Sequence, residues 1–155
     1  MSKFKIVLVA PEIPGNTGSI GRTCVALDLE LILIKPLAFE IDEKAVRRAG
    51  LDYWKHVNLK VFESFDDFLE KEKPETSKMF FFSRFATKTM FETKFSKDVY
   101  LIFGSETKGL PKELMEAHQD TLIKMPMYSE VIRSLNLSNV ATAAAYEVIR
   151  QIDFV

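Results

Sequence analysis

V-Y-L-I-F-G-S-E-T-K-G-L-P, residues 99–111, is the stretch that decides the fold. Its first five residues are apolar or aromatic without alternation, as expected of a strand covered on both faces and therefore central in its sheet. A loop bounded by Gly104 and Gly109 follows, and Pro111 sits where the first turn of a helix accepts proline, which predicts a helix through Ala117. Strand, glycine-bounded loop and helix together make one βα unit.

The same unit recurs in both directions along the chain. Residues 5–10 read as a first strand, residues 11–15 as a loop, and Asn16 as the N-cap of a helix running to about residue 28. Strands follow at 30–34, 60–62, 79–83 and 121–124, with helices at 42–49 (ended by Gly50), 66–71 and 140–152. The polar stretch 87–97 carries no regular element, and the alanine-rich run Ala141, Ala143, Ala144 and Ala145 permits close backbone approach. Alternating strands and helices predict an α/β fold, a mostly parallel sheet with helices on both faces. No repeat, low-complexity tract or linker interrupts the chain, so residues 1–155 are expected to form one domain.

Composition removes several function classes. With 47% hydrophobic and 28% charged residues over 155 positions, disordered and fibrous chains are excluded. The apolar runs are too short to cross a bilayer and the start carries no apolar leader, so no membrane association and a cytoplasmic location are expected. Cys24 is the single cysteine and His56 and His118 the only histidines, which argues against a disulfide, a redox pair or a metal site. The net charge of −1 gives no overall attraction to nucleic acid, so any RNA binding must rest on local patches.

Three loops could carry chemistry. P-E-I-P-G-N-T-G-S-I-G-R, residues 11–22, is a glycine-rich link from strand to helix that could hold an anion at a helix start. Gly15, Gly18 and Gly21 stand three apart rather than in the dinucleotide spacing, and strand two ends at Lys35-Pro36 instead of an acidic residue, which argues against a nicotinamide cofactor. A packing turn with Arg22 in solvent remains the alternative. The loop at 104–109 lacks the lysine and hydroxyl residue of a triphosphate site after Gly109, but it ends a central strand, where ligands bind in open α/β sheets. A tight structural turn explains it equally well. The segment 125–141, M-P-M-Y-S-E-V-I-R-S-L-N-L-S-N-V-A, gathers Ser134, Asn136, Ser138 and Asn139 in one turn. A capping cluster needs only one or two such residues, so a ligand there is worth weighing.

Taken together and in order, N-T-G-S-I-G-R, L-I-F-G-S-E-T-K-G-L-P and M-P…R-S-L-N-L-S-N-V-A resemble the three motifs of the SPOUT superfamily of knotted RNA methyltransferases. E-I-P-G-N-T-G and the R-R-A-G-L-D-Y-W segment at 47–54 look most like its tRNA wobble-position branch, which methylates the ribose 2′-hydroxyl of cytidine or uridine 34 in leucine tRNAs. Ser105 departs from that branch, whose bacterial members often have proline there.

The resemblance implies a C-terminal trefoil knot, an exception to the rule that chains avoid knots, and a homodimer through the knot region with each RNA site built from both chains. It implies S-adenosyl-L-methionine as cofactor, held by Phe82, Gly104, Met125, Ser134 and Leu135, and tRNA as partner, with Asn16, Glu106 and Arg133 on the substrate side. Arg22, Ser134 and Asn136 are the implied catalytic residues. A guanidinium is a poor base, so Arg22 is read as stabilising developing negative charge or binding a phosphate. Arg47, Arg48, Arg133, Lys35 and Lys124 are candidates for tRNA phosphates. The rival readings are methylation at another RNA position, a base methyltransferase of the same superfamily, and a non-catalytic RNA-binding module.

Overall fold

The computed structural model describes residues 2–41 and 51–155; the helix expected at 42–49, with Arg47 and Arg48, lies outside the described residues. Strands β1 (Lys5–Val9), β2 (Glu30–Ile34), β3 (Asn58–Phe62), β4 (Met79–Phe82), β5 (Lys88–Thr89), β6 (Tyr100–Phe103) and β7 (Leu122–Lys124) join in one sheet of order β3-β2-β1-β6-β4-β7-β5. Every pairing is parallel. The non-alternating run that opened the sequence reading is β6, the middle strand, buried at all four residues. The α-helices among the described residues are α1 (Pro14–Leu27), α2 (Phe65–Glu72), α3 (Lys112–Ala117) and α4 (Leu137–Asp153).

Successive strand residues feed opposite faces. Ile6, Leu8, Leu31, Leu33, Leu101 and Phe103 pack with Ile20 and Cys24 of α1 and with Ala141, Ala144, Ala145 and Val148 of α4. Val7, Ile32, Phe81 and Ile102 pack on the other face with Phe68 of α2 and Leu110 before α3. Removing each large side chain from water contributes about 1.5–3 kcal/mol. Helices therefore cover both faces, as expected. The buried alanines let α4 lie close to the sheet and to α1, where the Thr23 and Thr142 hydroxyls meet at 2.8 Å.

Four local expectations need correction. Helix α1 begins at Pro14, with Ile13 as N-cap, so Asn16 is not the cap. Proline at the first helical position needs no N–H partner and presets its backbone angle, which starts the helix early. Strand β5 lies inside the polar stretch 87–97, too short to show any periodicity and placed in the sheet by pairing with β7. Strand β3 begins at Asn58 and α4 at Leu137, both earlier than the hydrophobic pattern suggests.

Two features place the functional end. The strand order reverses between β1 and β6, and the loops at the carboxyl ends beside that switch point carry the candidate site. Residues 83–87 step across β7, which is inserted between β4 and β5. Helix α4 is tied back to the segment after β5 by Gln151, which accepts from Phe95 N at 2.7 Å and donates to Thr93 O at 3.0 Å. No helix among the described residues is long and apolar enough to cross a membrane.

Candidate functional site

A cavity of about 640 Å³ opens at the carboxyl ends of β4, β6 and β7. Phe82, Gly104, Met125, Ser134 and Leu135, the five residues expected around a cofactor, all line it, as do Asn16, Glu106, Arg133 and Asn136. Three loops and the start of α1 bring them together from distant parts of the chain.

The loop at 104–109 is closed tightly. A Cβ on Gly104 would lie 2.1 Å from the Gly109 carbonyl carbon and 2.2 Å from Leu110 N, so only glycine fits. Ser105 N donates to Gly109 O at 3.3 Å and Gly109 N to Ser105 O at 3.0 Å, while the Ser105 hydroxyl accepts from Lys108 N at 3.2 Å. Proline at 105 could make neither the first bond nor the last, so this chain closes the turn by its own chemistry.

Two carboxylates cross-link that loop to the start of α1. Glu106 accepts from Glu12 N at 2.8 Å, Ile13 N at 2.9 Å and Asn16 Nδ2 at 3.2 Å, placing negative charge at a helix N-terminus. Glu12 accepts from the Thr107 hydroxyl at 2.7 Å and from Thr107 N at 3.0 Å. The Thr107 hydroxyl bond, followed by its backbone bond, holds the Glu12 carboxyl below the usual carboxylate range. Asn16 and Glu106, expected on the substrate side, thus bond each other, and the contacts seen fix the crevice wall.

The segment 125–136 is open by comparison. Tyr128, Val131, Ile132 and Leu135 are all exposed, and the bond from Val131 N to the Ser129 hydroxyl at 3.1 Å is local. Its end is well defined. Asn136 caps α4, its Oδ1 accepting from Ser138 N at 2.9 Å, the Ser138 hydroxyl at 2.6 Å and Asn139 N at 3.3 Å. The capping cluster is therefore real, but Asn136 is its acceptor, and only its Nδ2 amide remains as a donor for a ligand.

Arg22 stands apart. It is exposed on α1, with its guanidinium carbon 5.5 Å from the centre of the Tyr53 ring, and does not line the cavity. Six residues beyond Asn16, it sits about 9 Å further along the helix. Gly21 beside it serves packing, since a Cβ there would come within 2.7 Å of the Trp54 ring. Cys24 is buried, and desolvation pushes its thiol up to about 12, so it is no nucleophile. Among the described residues no group of three histidine, cysteine or acidic side chains gathers to hold a metal.

Sequence reasoning missed Arg84, Phe85 and Met127 on the cavity wall. Their signal was weak: an aromatic residue in a polar stretch and a methionine in a loop both pass as ordinary surface.

The sequence model of the SpoU rRNA methylase family matches residues 3–146. A Saccharophagus degradans protein named tRNA (cytidine(34)-2′-O)-methyltransferase is 42% identical over 152 residues, covering 97% of each chain. A solved structure described as giving insight into the 2-OH methylation of C/U34 on tRNA superposes with a TM-score of 0.89 at 41% identity, covering 96% of this chain and 95% of that one. The methyltransferase AviRb from Streptomyces viridochromogenes, solved with the cofactor AdoMet, is 27% identical with a TM-score of 0.77 over 97% of this chain and 61% of that one.

Proposed function

The chain belongs to the SpoU rRNA methylase family, and from that premise we propose that it transfers a methyl group from S-adenosyl-L-methionine to the ribose 2′-hydroxyl of nucleotide 34, cytidine or uridine, in tRNA. The observation that carries this reading is end-to-end similarity, above 40% identity, to proteins named for that reaction. The placement of Phe82, Gly104, Met125, Ser134 and Leu135 around one cavity agrees with it. Leucine tRNAs are the proposed acceptors, in the cytoplasm, and the whole chain is read as one catalytic domain.

The cavity suits the cofactor. Its volume lies within the range of small-molecule sites, and Met125, Met127 and Leu135 offer apolar walls beside the polar backbone of three loops. When bound, the cofactor supplies an electrophilic methyl carbon on a sulfonium. Gly104 lets its loop close on Gly109 and Leu110 to form one wall for it, and Ser134 and Leu135 hold its far side. The protein's remaining task is to align the ribose oxygen and stabilise the charge that grows on it as its proton leaves. Ser134 and the Nδ2 of Asn136 are donors at that end of the cavity, and water or an RNA phosphate takes the proton.

Arg22 is the group suited to the developing charge, yet it lies off the cavity of its own chain. We therefore assign it to the cavity of a second copy in a homodimer. The exposed apolar side chains of 128–135 and Tyr146 on α4 give that copy a surface to cover. The C-terminal knot is part of the same reading. It is supported by the insertion of β7 between β4 and β5, the crossing of β7 by residues 83–87, and the return of α4 to residues 93–95.

Incubation of tRNA with isotopically labelled cofactor, nuclease digestion and mass spectrometry test the function. Label on the ribose of nucleotide 34 is expected. Label on a base, or at another nucleotide, would overturn the assignment.

A further inference from the structure

We propose that Phe85, backed by Arg84, is a stacking platform for an unpaired nucleobase of the RNA at the mouth of the cavity. This rests on the reading that RNA is the substrate. The run Met79–Phe82 puts its aromatic side chains into the core, and Phe82 is stacked on Phe103 at 4.5 Å. Three residues on, Phe85 is 66% exposed. Among the described residues its ring has no aromatic partner, only the Arg84 guanidinium, 4.5 Å from the ring centre.

One exposed aromatic residue is ordinary in itself. Position, a hydrogen-bonded backbone turn and a neighbouring charge distinguish this one. Arg84 and Phe85 line the same cavity as Ser134 and Asn136. The turn that carries them is fixed: Phe85 N donates to the Ser83 hydroxyl at 3.2 Å, Ala86 N donates to Ser83 O at 3.2 Å, and Ala86 is buried. The bonds fix the backbone that carries the ring, and the ring projects from it without support from the core. A flat ring beside a cation is the surface on which single-stranded RNA bases stack, with the cation also available to a phosphate. The net charge of −1 makes such a local feature necessary, because bulk attraction to RNA is absent. The proposed occupant is the target base or its immediate neighbour, because Phe85 shares one cavity with Ser134 and Asn136, to which the ribose is presented.

The test measures equilibrium binding of fluorescein-labelled tRNA by anisotropy, which requires no chemistry, alongside steady-state kinetics, cofactor calorimetry and sedimentation. Phe85→Ala is expected to weaken tRNA binding and raise KM for tRNA by about 5- to 150-fold, the span of one base-aromatic stack, with KM changing more than kcat. Phe85→Trp should restore binding and Phe85→Leu should not, because leucine is apolar without a π face. Arg84→Ala should fall between wild type and Phe85→Ala. Unchanged tRNA binding in Phe85→Ala, full rescue by leucine, an equal loss of cofactor affinity, or dissociation of the copies would each overturn the platform. If wild-type protein binds tRNA but places no methyl on it, the functional reading fails while the binding comparison still judges Phe85.

Discussion

The loops at 104–109 and 125–136 wall the same cavity but are built in opposite ways. The first is closed by a reciprocal backbone pair, a serine hydroxyl and two carboxylates that latch it to α1. The second carries four exposed apolar side chains and is anchored mainly at its far end, by the Asn136 cap. A loop braced by its own bonds can hold a ligand without rearranging, because its conformation is already fixed before binding. A loop with unburied apolar surface has a favourable contact still to make. One half of the site is thus finished within the chain, and the other gains most from cofactor, RNA or a second copy.

Substitutions in each half should break this contrast differently. Gly104→Ala has the largest expected effect: with no room for a methyl group, the loop must open, at a cost of about 3 kcal/mol in denaturant unfolding, and cofactor binding should disappear in calorimetry. Glu106→Ala leaves the Glu12 and Ile13 backbone donors without their partner, and a loss of about 1–3 kcal/mol is expected in the same experiment. Asn136→Ala removes a cap and should cost about 1 kcal/mol, together with lowered methyl transfer. Ser134→Leu should be smallest on stability, within about 0.5 kcal/mol, while cofactor affinity falls. If Ser134→Leu instead destabilises the fold as much as Glu106→Ala does, the second loop is already a finished structure.

Most of the fold was legible because β6 and its neighbours are buried on both faces, which stamps a continuous apolar run on residues 99–103. The helices were legible, and the starts of α2 and α3 were read to within one residue, but those of α1 and α4 were not. Pro14 preset α1 ahead of Asn16, and Asn136 capped α4 ahead of the apolar pattern. Strand β5 was hidden because two residues paired at a sheet edge leave no period to read. At the site, the glycine boundaries and the serine-asparagine cluster marked two of the loops that line the cavity, while Phe82 and Met125 came only from the family resemblance. The cross-latch of Glu12 and Glu106 joins residues more than ninety positions apart and has no local signature. The separation of Arg22 from the cavity depends on where α1 ends up, which only the packed structure reveals.

That separation allows the idea of a site completed between two copies to be tested most directly by subunit mixing. Arg22→Ala and Ser134→Leu proteins should each be inactive alone. Co-expressed in equal amounts and purified together, they should recover roughly a quarter of wild-type methyl transfer, because random pairing makes half of the dimers mixed and each mixed dimer keeps one intact site. A mixture as inactive as its parents would place Arg22 and Ser134 in the same chain's site and contradict the two-copy account.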